Sequence, residues 1–288
     1  MAEQKKKPLA KLTAWILAIA TLLTAVGKLI SVLQDVRNKF HFLQSQGMTP
    51  AGYYTNPDGL MKNLTEFMEQ EASRKPAEFY VIVDLASFGS VTYPELHLRY
   101  YNALYKLASQ NPPVLHAAFL DDAQARTVVE RQVSEDDWKT FRTSDKLKNW
   151  FINPSVVDAV LQSGSATQAD LDTIKRNGAP LDFRPKFIAC SLAYDDYLIK
   201  KLAAAAGLAN VRRYRDPLSA HLWMSDASEN PDKPTGLFGL VDWEKQIEEP
   251  GFYIRKSVHG TLRATAIEHF ERAAPAPLTT SQPTTIPQ

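Results

Sequence analysis

The stretch FYVIVDLASFGSVTYPELHLRYYNALYKLASQNPPVLHAAFL, residues 79–120, decides the fold class. Phe79 to Leu85 is a short β-branched and aromatic run, apolar on both faces, as a strand buried in the middle of a sheet must be. Gly89-Ser90 ends it. Thr92 and Glu95 stand three apart with Pro94 between them, a capping-box spacing. Beyond it Leu96, Tyr100, Ala103, Leu104 and Leu107 fall on one face of a helix. Pro112-Pro113 stops that helix, and Val114 to Leu120 reads as a second strand. A strand, a helix and a strand in this order form a βαβ unit, whose crossover is right-handed in nearly all known cases. The expected fold is therefore α/β, with a mixed, partly parallel sheet flanked by helices.

Upstream, apolar residues at Leu60, Met61, Leu64, Phe67 and Met68 predict a helix from Leu60 to Ser73, with Asp58 as its cap. Residues 34–57 read as a stalk and linker, since Gly47, Pro50, Gly52, Asn56 and Pro57 crowd together. Residues 12–33, LTAWILAIATLLTAVGKLISVL, are apolar apart from Lys28 and follow Lys5, Lys6, Lys7 and Lys11. As a helix they extend about 33 Å, enough for a bilayer core of ~30 Å, and the Lys28 stem reaches the headgroups. This predicts a single-pass transmembrane helix behind a basic N-terminus, residues 1–11, as in a bacterial inner-membrane protein. The rival readings are an amphipathic docking helix and a cleaved signal peptide. The lysines put the N-terminus in the cytoplasm by the positive-inside rule, whereas the lone Cys190 suits a domain kept in a reducing compartment, so the domain's side stays open.

Downstream, residues 121–180 predict a helical insert, with stretches over 123–133, 136–149, 155–162 and 167–177. Phe187 to Leu192 reads as another apolar strand, Asp195 to Ala206 as a helix closed by Gly207, and Val211 to Tyr214 as a strand. Three short strands follow, His221 to Ser225, Leu237 to Val241 and Phe252 to Arg255, then a helix from Ser257 to Ala273. The Pro/Thr-rich tail, residues 274–288, has too little apolar surface to fold and is expected to be disordered.

The net charge of +1 gives no footprint for nucleic acid. A single cysteine, Cys190, excludes an internal disulfide, and no Cys/His zinc pattern, Walker loop, GxSxG elbow or HExxH occurs, so no metal or cofactor is expected. Ligands of open α/β sheets bind outside the carboxyl ends of the strands. Asp84 and Ser87 stand at such an end and are candidate ligand-binding residues, with a loop-capping role as the alternative. Asp121-Asp122 reads as the start of the next helix. His41, His97, His116, His259 and His269 read as surface or core residues. His221 differs in opening a short strand, His221-Leu222-Trp223-Met224-Ser225-Asp226.

Two segments, VDLASFGSVTYPELHLRYYNALYKL and AHLWMSDASE…GLFGLVDW…GFYIRKSVHGTLRATAIEHFER, together with the order of the elements between them, resemble one phospholipase D-like domain over residues 79–273. Active members carry an HxK motif followed by Asp: the histidine attacks phosphorus, the lysine binds phosphate, and two copies meet to form one site. The resemblance implies His221 and Asp226 as the catalytic pair and a homodimer as the assembly. Trp223, however, stands at the lysine position, and Asp226 comes too early. Arg212, Arg213 and Arg215, on or beside the preceding strand, could bring positive charge nearby instead, with Arg213 and Arg215 as candidate ligand-binding residues and a solvated basic edge as the alternative. The expected function is a membrane-anchored binding or sensing module on a catalytically degenerate domain. The alternatives are a phosphodiester hydrolase using His221, or a membrane-acting effector regulated by the globular part.

Overall fold

A computed structural model of the chain describes residues 49–52, 59–215, 220–226, 234–240, 251–254 and 256–275. The chain divides into two units, residues 1–48 and 49–288, and the described residues all belong to the second. The expected transmembrane helix, the rest of the stalk and linker, Asp58 and the tail beyond Pro275 lie outside the described residues, but residues 49–52, read as linker, form a strand that pairs antiparallel with residues 251–253. Among the described residues no helix is long and apolar enough to cross a membrane.

The fold is α/β, with one mixed open sheet and helices against it. The strands are β1 (Thr49–Gly52), β2 (Phe79–Ile82), β3 (Leu115–Leu120), β4 (Val211–Tyr214), β5 (Ala220–Ser225), β6 (Gly236–Leu240), β7 (Gly251–Ile254) and β8 (Ala274–Pro275). They lie side by side in the order β1-β7-β6-β5-β2-β3-β4-β8. Parallel pairing joins β2, β3 and β4, whereas β5, β6 and β7 run antiparallel to their neighbours. β2 therefore forms the seam between a parallel and an antiparallel half.

Side chains alternate across this seam because a strand turns successive residues to opposite faces. Phe79, Val81 and Val83 pack with Leu115, Ala117, Phe119 and Trp223 beneath α1 (Gly59–Arg74), α2 (Pro94–Ala108) and α8 (Arg184–Ala206). Tyr80 and Ile82 face the other way, with Ala118, Leu222 and Met224, and meet Ala266 and Phe270 of α9 (Lys256–Arg272). Each fully buried Leu, Val or Phe contributes about 2 kcal/mol.

The insert between β3 and α8 consists of α3 (Asp122–Gln132), α4 (Glu135–Phe141), α5 (Asp145–Trp150), α6 (Pro154–Ser163) and α7 (Gln168–Asn177). The helix expected over 136–149 is in fact two, because Ser144 starts a new turn by accepting a bond from the Leu147 amide. Asp121 caps α3 by accepting from the Gln124 amide, as its position before the helix suggested.

Other expectations are overturned. Phe187 to Leu192 is not a strand but part of the 23-residue helix α8. A short apolar run does not reveal its period. The buried set Phe187, Ile188, Ser191, Tyr194, Leu198 and Leu202 shows the three-to-four spacing only when read through to Ala206. Thr92 and Glu95 form no capping box either. α2 begins at Pro94 with Tyr93 as its N-cap and no side-chain cap bond, because the turn after β2 continues to Tyr93, whose amide donates to Gly89 O. Ala274 and Pro275, assigned to the tail, pair antiparallel with Arg213 and Arg212 on β4.

Candidate functional site

The sheet topology brings together residues far apart in sequence. Because β5 is antiparallel to β2, the start of β5 lies beside the end of β2, at the edge where β3 and β4 also finish. Asp84 follows β2, Tyr214 ends β4 and His221 opens β5. The His221 Nε2 lies 2.8 Å from Asp84 Oδ2, and Tyr214 Oη donates to Asp84 Oδ1 at 2.9 Å. The Asp84 amide also lies 3.2 Å from Nε2. The ring nitrogen thus faces both an amide donor and a carboxylate oxygen, the carboxylate being the nearer.

This chain of Tyr214, Asp84 and His221 is closed in. His221 and Asp84 are each 3% exposed. Phe88, from the turn after β2, sets its ring edge-on to the imidazole at 5.8 Å between centroids, and Trp223 does the same at 5.9 Å. Trp223 is completely buried, and its Nε1 donates to Tyr100 Oη at 3.1 Å. The position two residues after His221, where an HxK spacing would put a lysine, is thus occupied by an indole turned into the core.

A second cluster adjoins the first. Ser87 donates to Asp195 Oδ1 from both its amide, at 2.8 Å, and its hydroxyl, at 2.9 Å, so that α8 holds the turn after β2. Burial pushes the Asp195 carboxyl up to about 6, with Arg213 and the Ser87 bonds pulling the other way. Arg213 is itself buried. Its guanidinium donates to Leu120 O at 2.7 Å and to Asp196 at 3.3 Å, and lies 3.4 Å from Asp122 and 3.9 Å from Asp195. Three carboxylates and a carbonyl therefore engage it.

Of the residues singled out from the sequence, Asp84 and His221 meet directly and Ser87 and Arg213 share the neighbouring cluster. Arg215 is exposed just beyond β4. Asp226 does not belong here. It lies at the opposite end of β5, roughly 16 Å of strand away, where its amide donates to Glu78 O and its carboxylate pairs with Arg74 at 2.6 Å. The HxK-like reading put the two residues on one motif, but a strand's length separates them. Sequence reasoning did not single out Tyr214, Asp195, Phe88 or Tyr100. The tyrosine and aspartate sit in VRRY and YDDY, where nothing local distinguishes them from surface residues.

His97 is a core residue, as its helical position suggested. Its Nδ1 bonds Phe88 O at 2.8 Å, and burial pushes its imidazole down to about 4. Among the described residues no group of three or more His, Cys, Asp or Glu side chains is arranged to hold a metal ion.

Five carboxylates, Asp84, Asp121, Asp122, Asp195 and Asp196, gather at this edge with Arg213, Arg215 and Lys200 as the basic side chains beside them. Such an edge suits proton sharing and hydrogen bonding better than the binding of a dianion. No protein-family model, curated protein or solved structure matches this chain.

Proposed function

We propose that the chain is a membrane-anchored binding or sensing module built on a catalytically degenerate phospholipase D-like domain. The observation that carries the degenerate reading is the burial of Trp223 against Tyr100, beside a His221 whose Nε2 is already engaged by Asp84. Attack on phosphorus needs an accessible imidazole and a cation to offset charge on the phosphoryl oxygens. Here the ring is buried, and Arg213 is held by three carboxylates. The domain assignment is supported by the order of elements, a βαβ unit, a helical insert, a helix running into β4, short antiparallel strands and a closing helix. The anchor is supported by the sequence of residues 12–33, and a homodimer follows from the same resemblance.

The test is a pair of measurements on the full-length chain. Hydrolysis of bis-p-nitrophenyl phosphate is expected to be absent; turnover that disappears in His221→Ala would establish the hydrolase instead. A thermal-shift screen with mononucleotides and soluble phospholipid headgroups is expected to show stabilisation by one class, and a flat screen would count against a sensor. The effector reading predicts that overexpression collapses membrane potential. Labelling Ser281→Cys in a Cys190→Ser background from either side of the membrane assigns the domain's side.

A further inference from the structure

His116, on β3, lies under the closing helix α9 in an arrangement that favours its neutral form. The imidazole stacks on Tyr80 with centroids 4.8 Å apart and takes the edge of Phe270 at 5.2 Å. Its Nδ1 is buried and has no hydrogen-bond partner among the described residues. A neutral ring can leave that nitrogen as a bare lone pair. The imidazolium cannot, since both its nitrogens carry protons and an extra buried donor would go unsatisfied, which costs about 1–3 kcal/mol.

The contacts that hold α9 converge on the same ring. Arg212 of β4 lies over Phe270 at 4.3 Å and donates to the carbonyls of Phe270 and Glu271, closing the end of the helix. Arg263 of α9 pairs with Glu78, which precedes β2, and stands over Tyr80. Both guanidiniums disfavour a positive charge on His116, whereas Glu78 favours one but is already paired with Arg263. Burial is the largest cause lowering the His116 pKa; Glu78 opposes it, and Arg212 and Arg263 add to it. Glu268, Glu271, His269 and Arg272 of α9 are exposed.

We infer that His116 is a proton-operated latch: charging its ring undocks α9 and uncovers the apolar sheet face formed by Tyr80, Ile82, Ala118, Leu222 and Met224. The sign follows from linkage. A histidine whose folded pKa is lowered contributes full docking stability above its ordinary value of 6.5 and loses it as pH falls toward the folded value.

Hydrogen exchange of the full-length chain, with protection factors corrected for the intrinsic pH dependence, tests this. Between pH 7.5 and 5, amides of α9 are expected to lose protection at least tenfold while those of α2 keep theirs. His116→Phe, which retains the aromatic stack, is expected to hold α9 protected at both values; His116→Leu serves the same purpose if the Phe variant does not fold. Unchanged protection of α9 in the wild type overturns the latch. So does equal loss in the substituted chain, or a wild-type transition centred above pH 6.5.

Discussion

The Asp84 carboxylate and the His221 imidazole lie 2.8 Å apart across the seam of the sheet, although 137 residues of chain separate them. The pair is buried, and Tyr214 supplies a third member through the free carboxylate oxygen. Removing one partner of a buried, hydrogen-bonded pair leaves the others uncompensated. Asp84→Ala is expected to destabilise the fold by about 3 kcal/mol, and Tyr214→Phe, which removes one bond, by about 1 kcal/mol. Urea denaturation of these variants, of His221→Ala and of Asp84→Ala/His221→Ala measures the coupling. Strict additivity of Asp84→Ala and His221→Ala would show that the pair contributes nothing as a pair.

Trp223→Lys recreates the HxK spacing without recreating a site. Its ammonium would enter a fully buried position lined by Tyr100 and Phe88. The expected outcome is a loss of more than about 4 kcal/mol and no gain of diesterase activity. Near-native stability in a thermal melt would mean that the position opens to solvent, contrary to its observed burial.

Asp195 gives the site edge a pH signature of its own. Its folded pKa of about 6 lies above the ordinary 3.8, so its contribution to stability is complete below pH 3.8 and lost as pH rises through about 6. The shift of roughly two pH units corresponds to about 3 kcal/mol. Asp195→Asn keeps an acceptor for Ser87 but cannot titrate. Relative to wild type, the variant should gain about 2–3 kcal/mol between pH 4 and 7.5 in urea titrations. A difference that stays constant with pH would refute the assignment.

Gly236 on β6 makes Trp223's position possible from the other side. A Cβ there would lie 2.6 Å from Trp223 O and 3.1 Å from a Met224 side-chain carbon. Because a backbone atom of the central sheet cannot yield cheaply, Gly236→Ala is expected to cost about 2–4 kcal/mol. The comparison with Gly164→Ala is instructive, since an added Cβ there meets nothing within 4 Å among the described residues and its φ of +69° is what opposes it. That substitution should cost about 1 kcal/mol. Denaturation midpoints in the reverse order would count against both readings.

Much of the sheet was legible because its strands are short and bounded by strong punctuation. Val211 to Tyr214 is a strand over the residues expected, and the runs at Phe79, Val114 and His221 differ from the observed strands by a few residues at their ends. Phe187 to Leu192 misled because a run of six residues, apolar but for Ser191, fits a strand or a buried helix equally well, and Pro185 in the first turn of α8 was the signal that could have corrected it. At the site, Asp84 and His221 each stood out by position, but nothing local joins them. Their meeting depends on β5 entering the sheet antiparallel at β2, which is a property of topology. Tyr214 and Asp195 were illegible for the same reason, since both become special only once the strand ends are assembled.

The seam at β2 also sets an order of events during synthesis. Its parallel partner β3 emerges soon after it, but β5, which covers its other edge, is made only when residue 220 and beyond have left the ribosome. Until then β2 offers an open row of amides and carbonyls flanked by Phe79 and Val81, the kind of edge that pairs with other chains. Closure of Asp84 on His221 therefore marks the covering of β2 and passes the open edge to β5, which β6 covers in turn, so a chain cut short before β5 should aggregate through β2.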